Sequence, residues 1–298
     1  ISASLPASPQ TMMFFMGIGS DLQKYLSDEK LVDKFIGFEI LLGLLGAFGP
    51  ISLLYVYGIS PSHYILTQYF FISMIGMIIG LEIPLITRIN ESYTSALRIN
   101  LGGVLKMDYV GALAGSLIWI FLLPRFFTIT ESAFVLGIFN LLVAAAALLF
   151  FRKLVSYFLL LNLFVLLSLL LVTIGFIRSD DWTSYSEQYL FRDRIVHTET
   201  TTFQHIVLTE SASGVISCYI NGHLQFNSSD EYIYHENLVH PVFAVAPRRE
   251  RVLILGGGDG LALREVLKYP GVEEVVLCDI DPRMTDLARS NPYLTGIN

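Results

Sequence analysis

Long apolar segments dominate the first 177 residues of this chain. Crossing the roughly 30 Å hydrocarbon core of a bilayer takes about 20 apolar residues in a helix. Five segments come close to that length, at residues 35–57, 62–87, 107–124, 132–151 and 154–177. A sixth stretch, residues 8–20, is interpreted as the end of a further span that Gly17 and Gly19 break. One such segment could be a buried helix of a soluble protein, but five in series predict a polytopic α-helical membrane domain over residues 1–177.

Three acidic residues lie in or beside these apolar segments. Charge inside a bilayer is costly and often functional, but Glu39, Glu82 and Asp108 all fall near the ends of predicted helices, so we interpret them as interfacial. Glu82 stands two positions before Pro84, which suggests a buried polar contact beside a kink. The small residues of DYVGALAGS, at 108–116, predict close helix packing.

The hydrophobic pattern changes after the last apolar segment. The runs FQHIVLTE, GVISCYING and LQF favour β-strands, and with the dipeptide Asn221–Gly222 they predict a hairpin-rich sheet. A helix follows, with Ser229 or Asp230 as its N-cap, and then a buried strand, a glycine turn, a short helix and a second strand that ends in acids. We predict a β-hairpin-rich part over 178–247 and the first half of an AdoMet-type, Rossmann-like α/β domain over 248–298, truncated in this chain.

Composition agrees with a chain divided between lipid and water. Hydrophobic residues make up 53% and charged residues 15% of the 298 residues, whereas about a quarter of an ordinary soluble domain is charged. The net charge of −7, without a basic patch, excludes a nucleic-acid-binding protein. The two cysteines, Cys218 and Cys278, have no metal-ligand spacing, and we interpret both as small buried residues.

Loop charges leave the orientation in the membrane open. Lysine and arginine collect in loops on one side of the predicted bundle, and the other side has little more than Arg125 and Arg178 near its helix ends. The positive-inside rule would place the C-terminal part outside the cytoplasm. The nucleotide-type chemistry of that part favours the cytoplasm, where such cofactors are made, and one miscounted span would reverse the assignment. We expect a multi-pass protein of a bacterial-type inner membrane, with the C-terminal part in the cytoplasm.

The glycine turn and the acid after the next strand predict a nucleoside site. A dinucleotide fingerprint needs glycines at 256, 258 and 261, but position 261 is Leu. The glycines stand at Gly256, Gly258 and Gly260, the G-x-G-x-G spacing of AdoMet-type folds. Glycines let a backbone approach a ligand, and Asp279 ends the second strand, where a carboxylate can bind both ribose hydroxyls. A tight strand-to-helix turn alone would also select glycine, so the prediction depends on the turn and Asp279 together.

Metal and nucleophile chemistry are not predicted. His235 and His240 are five residues apart, so on a helix they point about 140° apart, unlike a zinc-binding H-E-x-x-H pair. The chain has no G-x-S-x-G motif and no cysteine beside a convincing base.

Two long motifs resemble the spermidine synthase (polyamine aminopropyltransferase) family. They are D-E-x-x-Y-H-E within INGHLQFNSSDEYIYHENLVHP and G-G-G-D-G within RVLILGGGDGLALREVLKYPGVEEVVLCDID, and the resemblance covers about residues 200–298. The preceding helices, with MGIGS, GLEIPL and DYVGALAGS, look like the multi-pass membrane branch of that family. The resemblance implies aminopropyl transfer from decarboxylated S-adenosylmethionine, as co-substrate, to a diamine such as putrescine, with release of methylthioadenosine.

The resemblance also implies roles for single residues. Gln204 and Asp279 would contact the nucleoside, Asp279 at the ribose, and Asp259 and His235 would lie near the aminopropyl donor. Tyr234 would face the reacting amine as a catalytic residue, although packing alone would also explain it, and Gln204 could be an ordinary strand residue. The expected partners are the small-molecule diamine, membrane lipid, and an oligomeric or membrane-complex partner.

The chain also departs from the family pattern. Asp279 stands where the family usually has Glu, and Asn221–Gly222 where it usually has Asp-Gly. The family's later G-D-G/A acid and its D-x-x-D-P catalytic segment are absent from this sequence, so we expect the natural chain to continue beyond Asn298. One alternative is a non-catalytic synthase-like membrane scaffold or complex subunit. Another is an AdoMet-dependent methyltransferase, which would have no use for the YHE motif.

Overall fold

A computed structural model describes residues 9–91 and 96–298 of the chain. The chain divides into two compact units, Ile1–Leu190 and Phe191–Asn298. The described part of the first unit is helical. Its helices are α1 (Pro9–Leu22), α2 (Leu31–Ile59), α3 (Pro61–Glu91), α4 (Leu97–Leu117), α5 (Leu123–Phe126), α6 (Ile129–Phe150), α7 (Phe158–Ile177) and α8 (Ser179–Gln188), with a 3₁₀ turn at Gln23–Tyr25 and a π turn at Ile118–Leu122.

Five of the described helices are long and apolar enough to cross a membrane, by length and composition alone. They are α2, α3, the continuous stretch Leu97–Phe126, α6 and α7. The five predicted segments correspond to these helices in order. Four of them, α2, α3, α6 and α7, share a core that contains fully buried side chains such as Ile36, Leu85, Phe134 and Val172.

The start of α7 is later than predicted because a buried acid caps it. The carboxylate of Asp33, at the start of α2, accepts hydrogen bonds from the backbone N–H groups of Ser156 at 3.1 Å and Tyr157 at 2.7 Å. The first N–H groups of a helix have no partner within the helix. Asp33 therefore supplies acceptors at the end of the turn that precedes Phe158.

The two glycines of the first segment do not break its helix, and one of them, Gly19, packs it against α3. Residues Pro9–Leu22 form one continuous helix, contrary to the break predicted at Gly17 and Gly19. A Cβ on Gly19 would lie 2.0 Å from the Met77 carbonyl oxygen of α3, and a Cβ on Gly80 would lie 2.0 Å from the Met16 carbonyl oxygen of α1. The missing side chains thus allow backbone-to-backbone contact, and this packing stabilises α1 despite its two glycines.

The interfacial interpretation of the three acids assumed that they lie near helix ends, and this assumption is wrong. Glu39 lies well inside α2, Glu82 inside α3 and Asp108 inside α4, because these helices extend beyond the apolar segments that predicted them. Glu39 is only 6% exposed. The side-chain amide of Asn140, on α6, donates to the Glu39 backbone carbonyl at 2.7 Å.

Close packing around the DYVGALAGS segment is not found among the described residues. A Cβ on Gly111 or Gly115 would have no atom within 4 Å. The side chains of α4 are mostly exposed, and only Asn100 is buried. The small residues of this segment therefore lie on an open surface of the first unit.

The second unit contains two sheets. Strands β1 (Arg194–Thr200), β2 (His205–Glu210), β3 (Ile216–Ile220) and β4 (His223–Asn227) form an antiparallel sheet in that order, and β5 (Arg251–Leu255) pairs in parallel with β6 (Glu274–Cys278). The β3–β4 turn has positive φ at Asn221 and Gly222, so the predicted Asn-Gly hairpin is confirmed. The helices of this unit are α9 (Glu231–Val245), α10 (Leu261–Leu267), α11 (Pro282–Ser290) and α12 (Pro292–Thr295).

One core joins the antiparallel sheet to the helices around the parallel pair. Ile206, Leu208, Cys218 and Phe226 of the sheet pack with buried residues of α10, α11 and α12, namely Leu261, Met284, Leu287 and Leu294. The segment Ser179–Gln188, predicted to belong to the β-hairpin-rich part, is instead a helix that contacts α2, α6 and α7.

Candidate nucleoside-binding site

The glycine turn leaves β5 along a path that only glycine follows easily. Gly256, Gly257 and Gly260 have φ values of +80°, +69° and +86°, in the left-handed region that other residues avoid. Gly256 N–H donates to the Cys278 carbonyl at 2.8 Å, which ties the turn to the end of β6. The turn therefore lies beside the end of β6, with α10 starting directly after Gly260.

The acid after β6 is held against this turn. The Gly258 N–H donates to Asp279 Oδ2 at 2.7 Å, and the Asp281 N–H donates to Asp279 Oδ1 at 2.9 Å. A Cβ on Gly258 would stand 2.8 Å from that Oδ2, so the contact requires glycine. Each carboxylate oxygen can accept a second bond, which leaves one acceptor position on each oxygen for the two hydroxyls of a ribose.

Asp259 lies in the same turn, and its Oδ1 accepts from the Leu261 N–H at 3.0 Å. Burial raises the pKa of Asp259, against the lowering effect of that hydrogen bond and of the nearby His235. Neighbouring charges on Asp279 and Glu231 add to the rise in its pKa. A cation bound beside Asp259 would compensate this concentration of negative charge.

The ring of His235 is held by Glu231, one turn earlier in the same helix, α9. Its Nδ1 lies 2.8 Å from both the backbone oxygen and Oε2 of Glu231, and His235 is 5% exposed. Arg264 of α10 in turn lies 2.9 Å from Glu231 Oε1. The ring orientation of His235 is therefore set by an ion pair between α9 and α10.

Tyr234 points in a different direction from its neighbour. Its side chain is 66% exposed, and its ring meets the ring of His235 edge-on with centroids 5.1 Å apart. The exposure does not fit the interpretation of Tyr234 as a packing residue. A hydroxyl at this position can reach a group that comes in from solvent.

Gln204 is a turn residue between β1 and β2, not a strand residue. Its side-chain Nε2 donates to Asp281 Oδ2 at 2.8 Å, and the Thr201 hydroxyl donates to the same oxygen at 2.8 Å. Asp281 is fully buried, and we did not predict it as a site residue. The signal was present in the run CDID, whose second acid follows Asp279 by two positions.

The structure thus brings most of the predicted residues to one place. Gly258 contacts Asp279, Asp279 contacts the backbone of Asp281, and Asp281 contacts Gln204. A cavity of about 1100 Å³ opens beside the turn and is lined by Gly258, Gly260, Asp279 and residues of α10, β6 and α11. The roles of these residues toward a ligand remain predictions.

The two cysteines differ in their surroundings. Cys218 is buried, and burial together with the charge of Asp259 raises its pKa to about 12. Cys278 is exposed, contrary to our interpretation, because the last residue of β6 faces away from the core. The Cys218 thiol is therefore protonated at neutral pH and unsuited to act as a nucleophile.

One group of side chains has metal-ligand spacing. Ligand atoms of Glu236, His240 and Glu265 lie within 4.8 Å of one another. Burial would raise the pKa of Glu265, but hydrogen bonds and charges from Lys268 and Arg264 lower it overall. Since two cations already neutralise this carboxylate, we interpret the group as an ion-pair network.

Comparison with known proteins identifies relatives across nearly the whole chain. Residues 231–295 match the family described as the spermine/spermidine synthase domain. The chain is 37% identical to polyamine aminopropyltransferase 2 of Ralstonia nicotianae, over 96% of this chain and 57% of that protein. It is 38% identical to a polyamine aminopropyltransferase of Leptospira interrogans, over 97% of this chain and 57% of the relative.

The chain therefore spans little more than half the length of these relatives. Among solved structures, a spermidine synthase from Thermotoga maritima is 35% identical, with a TM-score of 0.32, over 33% of this chain and 35% of the other.

Proposed function

We propose, because this chain belongs to the spermine/spermidine synthase family, that its protein is a membrane-anchored aminopropyltransferase. The donor would be decarboxylated S-adenosylmethionine, and the acceptor a diamine such as putrescine. The single observation that carries the proposal is the Asp279 carboxylate, which is anchored by the Gly258 N–H and has acceptor positions left for a ribose.

The proposed reaction needs little covalent help from the protein. The lone pair of an uncharged amine attacks the propyl carbon next to the sulfonium sulfur, a C–N bond forms, and the C–S bond breaks. Sulfur keeps the bonding electrons and leaves as neutral methylthioadenosine, and the new ammonium loses one proton. The protein contributes mainly by holding the amine in line with the carbon and by accepting that proton.

The described residues supply parts of this arrangement. Asp279 would hold the ribose, and Asp259 would attract the cationic end of the donor, since its buried carboxylate lies among other acids. The exposed Tyr234 would meet the acceptor amine. His235 would lie beside the donor, with its ring fixed by Glu231.

The membrane anchor in this proposal is supported by the five long apolar helices. The proposed location is a bacterial-type inner membrane, with the catalytic part on the cytoplasmic side, where decarboxylated S-adenosylmethionine is made. Membrane lipid would then be a constant partner of the first unit.

The decisive experiment is an activity assay on the full-length protein purified from membranes. Decarboxylated S-adenosylmethionine and putrescine are supplied, and methylthioadenosine and spermidine are measured by chromatography. We expect equimolar amounts of both products. Methyl transfer from S-adenosylmethionine would instead support a methyltransferase. If the protein remains folded and membrane-bound but consumes neither decarboxylated S-adenosylmethionine nor S-adenosylmethionine, the result would support a non-catalytic scaffold.

A further inference from the structure

A cavity at one end of the helical bundle has both apolar and charged walls. Its volume is about 650 Å³, and it lies where α2 begins, α3 ends and the α6–α7 turn passes. Leu31, Ile89 and Leu154 supply apolar parts of its wall. Because α2, α3, α6 and α7 are long and apolar enough to cross a membrane, their common end is where a bilayer would meet water. The volume is within the range of about 300–1,000 Å³ that is usual for ligand sites.

Two of the charged residues in the wall already neutralise each other. Arg88 Nε donates to Asp28 Oδ1 at 3.1 Å. Its two terminal nitrogens donate to the backbone oxygens of Gln23 at 3.0 Å and Leu26 at 2.9 Å. Arg88 and Asp28 therefore tie the segment between α1 and α2 to the end of α3, and together they offer no net charge to a ligand.

Lys30 brings a second positive charge to the wall. Its Nζ donates to the Tyr157 hydroxyl at 2.7 Å and lies 4.4 Å from the centre of that ring. An ammonium group has three N–H donors, so two of them remain available. Lys30 also has a φ of +54°, which is unfavourable for a residue with a side chain. The contact with Tyr157 keeps the ammonium at the cavity.

Glu91 brings the opposite charge on the α3 side. It is the last residue of α3 and lines the same cavity. Within residues 9–91 and 96–298, its carboxylate has no cationic partner. Lys30 and Glu91 thus present one cation and one anion that the wall does not neutralise, and such a wall complements a ligand that carries both charges.

We propose that this cavity binds the headgroup of a phospholipid that carries a phosphate and a primary ammonium, a phosphoethanolamine, with the phosphate at Lys30 and the ammonium at Glu91. The phosphate accepts from the lysine N–H donors, and the carboxylate accepts from the ammonium. Leu31, Ile89 and Leu154 contact the first carbons of the lipid chains. The inference rests on the membrane anchor of the proposed function, since lipid must surround the bundle.

The first test compares two lipid headgroups on the full-length protein in detergent. Native mass spectrometry measures the first lipid bound as dioleoyl-phosphatidylethanolamine or dioleoyl-phosphatidylglycerol is added. The two lipids share their phosphate and chains, but only the first has an ammonium for Glu91. We expect phosphatidylethanolamine to bind about tenfold more tightly, the size of one hydrogen bond between charged groups. Equal binding of the two lipids would overturn the proposal.

Two single variants assign the two charges. Lys30→Gln removes the partner of the phosphate, so both lipids should bind about tenfold more weakly. Glu91→Gln removes only the partner of the ammonium, so phosphatidylethanolamine should fall to the level of phosphatidylglycerol, whose own binding should not weaken. Both side chains are exposed, so the melting temperatures should stay near that of the wild type.

Lys153→Gln is the matched control for the lysine variant. It makes the same change of charge in the α6–α7 turn, but Lys153 does not line the cavity. We expect it to leave the binding of both lipids unchanged. A loss as large as that of Lys30→Gln would show that the general charge of this end attracts lipid, and it would overturn the assignment to the cavity.

Soluble competitors distinguish a lipid site from a site for a smaller ligand. Glycerophosphoethanolamine carries the same headgroup without chains, and we expect it to displace the lipid only at concentrations at least about tenfold higher, because it cannot use the apolar wall. Displacement at equal concentrations would indicate a site for a free zwitterion. Displacement by spermidine but not by glycerophosphoethanolamine would indicate a cation site. Either result would overturn the lipid assignment.

The outcomes also separate this inference from the proposed function. If the full-length protein is not recovered from membranes, the anchor and the lipid site fall together. If the protein is recovered from membranes and transfers aminopropyl groups, but binds the two lipids equally, only the lipid site is overturned.

Discussion

A methyl group on Gly258 would collide with the carboxylate after β6. The added Cβ would stand 2.8 Å from Asp279 Oδ2, and Gly258 does not need a positive φ, so the effect of Gly258→Ala is purely steric. We expect the carboxylate to shift and methylthioadenosine binding to weaken about tenfold or more, since the Gly258–Asp279 hydrogen bond is lost. Calorimetric titration measures this directly.

Gly271→Ala is the control for that substitution. A Cβ on Gly271 would have no atom within 4 Å, so its binding constant and melting temperature should equal those of the wild type. Equal binding by both alanine variants would show that Asp279 does not hold the nucleoside.

Asp259 should lower stability at neutral pH. Its pKa in the folded protein is raised above the usual value of an aspartate, chiefly by burial. The folded state therefore binds the proton more tightly than the unfolded state, and stability is lost as pH rises through the folded-state pKa. We expect Asp259→Asn to melt at a higher temperature than the wild type at pH 7.

The difference between these two proteins should shrink as the pH falls through the raised pKa of Asp259, because its carboxyl group becomes protonated there. Thermal unfolding of both proteins across that range tests the sign. A wild type that remains less stable by the same margin at low pH would contradict the assignment to this carboxyl group.

At the residue scale, the sequence allowed one half of the site to be predicted. Gly256, Gly258 and Gly260 follow from spacing, and Asp279 follows from its position after a strand. Asp281 follows the same strand, but its hydrogen-bond partners could not be predicted, because Thr201 and Gln204 come from a turn about 80 residues earlier. Only the packing of the antiparallel sheet against α11 brings those groups together.

Helix α1 should depend on the absence of side chains at its contact with α3. A methyl group on Gly80 would stand 2.0 Å from the Met16 carbonyl oxygen, so Gly80→Ala must push the two helices apart. We expect a loss of about 1–3 kcal/mol, as for overpacked cores, measured as a lower melting temperature in detergent. Gly17→Ala is the control, since a Cβ there has no atom within 4 Å and should be tolerated.

At the element scale, apolar length predicted the long helices but not their ends or neighbours. The end of an apolar run marks where side chains become polar. Helices α2, α3 and α4 nevertheless extend through Asp33, Arg88 and Arg98, because their backbone hydrogen bonds continue past the apolar run. Glycine was ambiguous for a similar reason. Gly19 contacts another backbone and Gly111 contacts nothing within the described residues, and a sequence pattern does not distinguish these two cases.

At the scale of the whole molecule, the number of times the chain crosses the membrane determines on which side of the membrane the second unit lies. If α7 spans the membrane once, the α6–α7 turn and the second unit lie on opposite sides of it. In our proposal the second unit is cytoplasmic, so the α6–α7 turn lies outside, although Arg152 and Lys153 in that turn favour the cytoplasm by the positive-inside rule. The charge pattern and the proposed chemistry thus make opposite predictions about the same helix.

Cysteine labelling decides between them. In a Cys278→Ser background, which removes the exposed native thiol and keeps the buried Cys218, Ser213→Cys marks the exposed β2–β3 turn and Leu154→Cys marks the α6–α7 turn. With a membrane-impermeant maleimide on intact spheroplasts, we expect Leu154→Cys to react and Ser213→Cys to react only after lysis. The reverse pattern would put the nucleoside site outside the cytoplasm, away from its proposed donor. Reaction of both sites before lysis would mean that α7 does not cross the membrane.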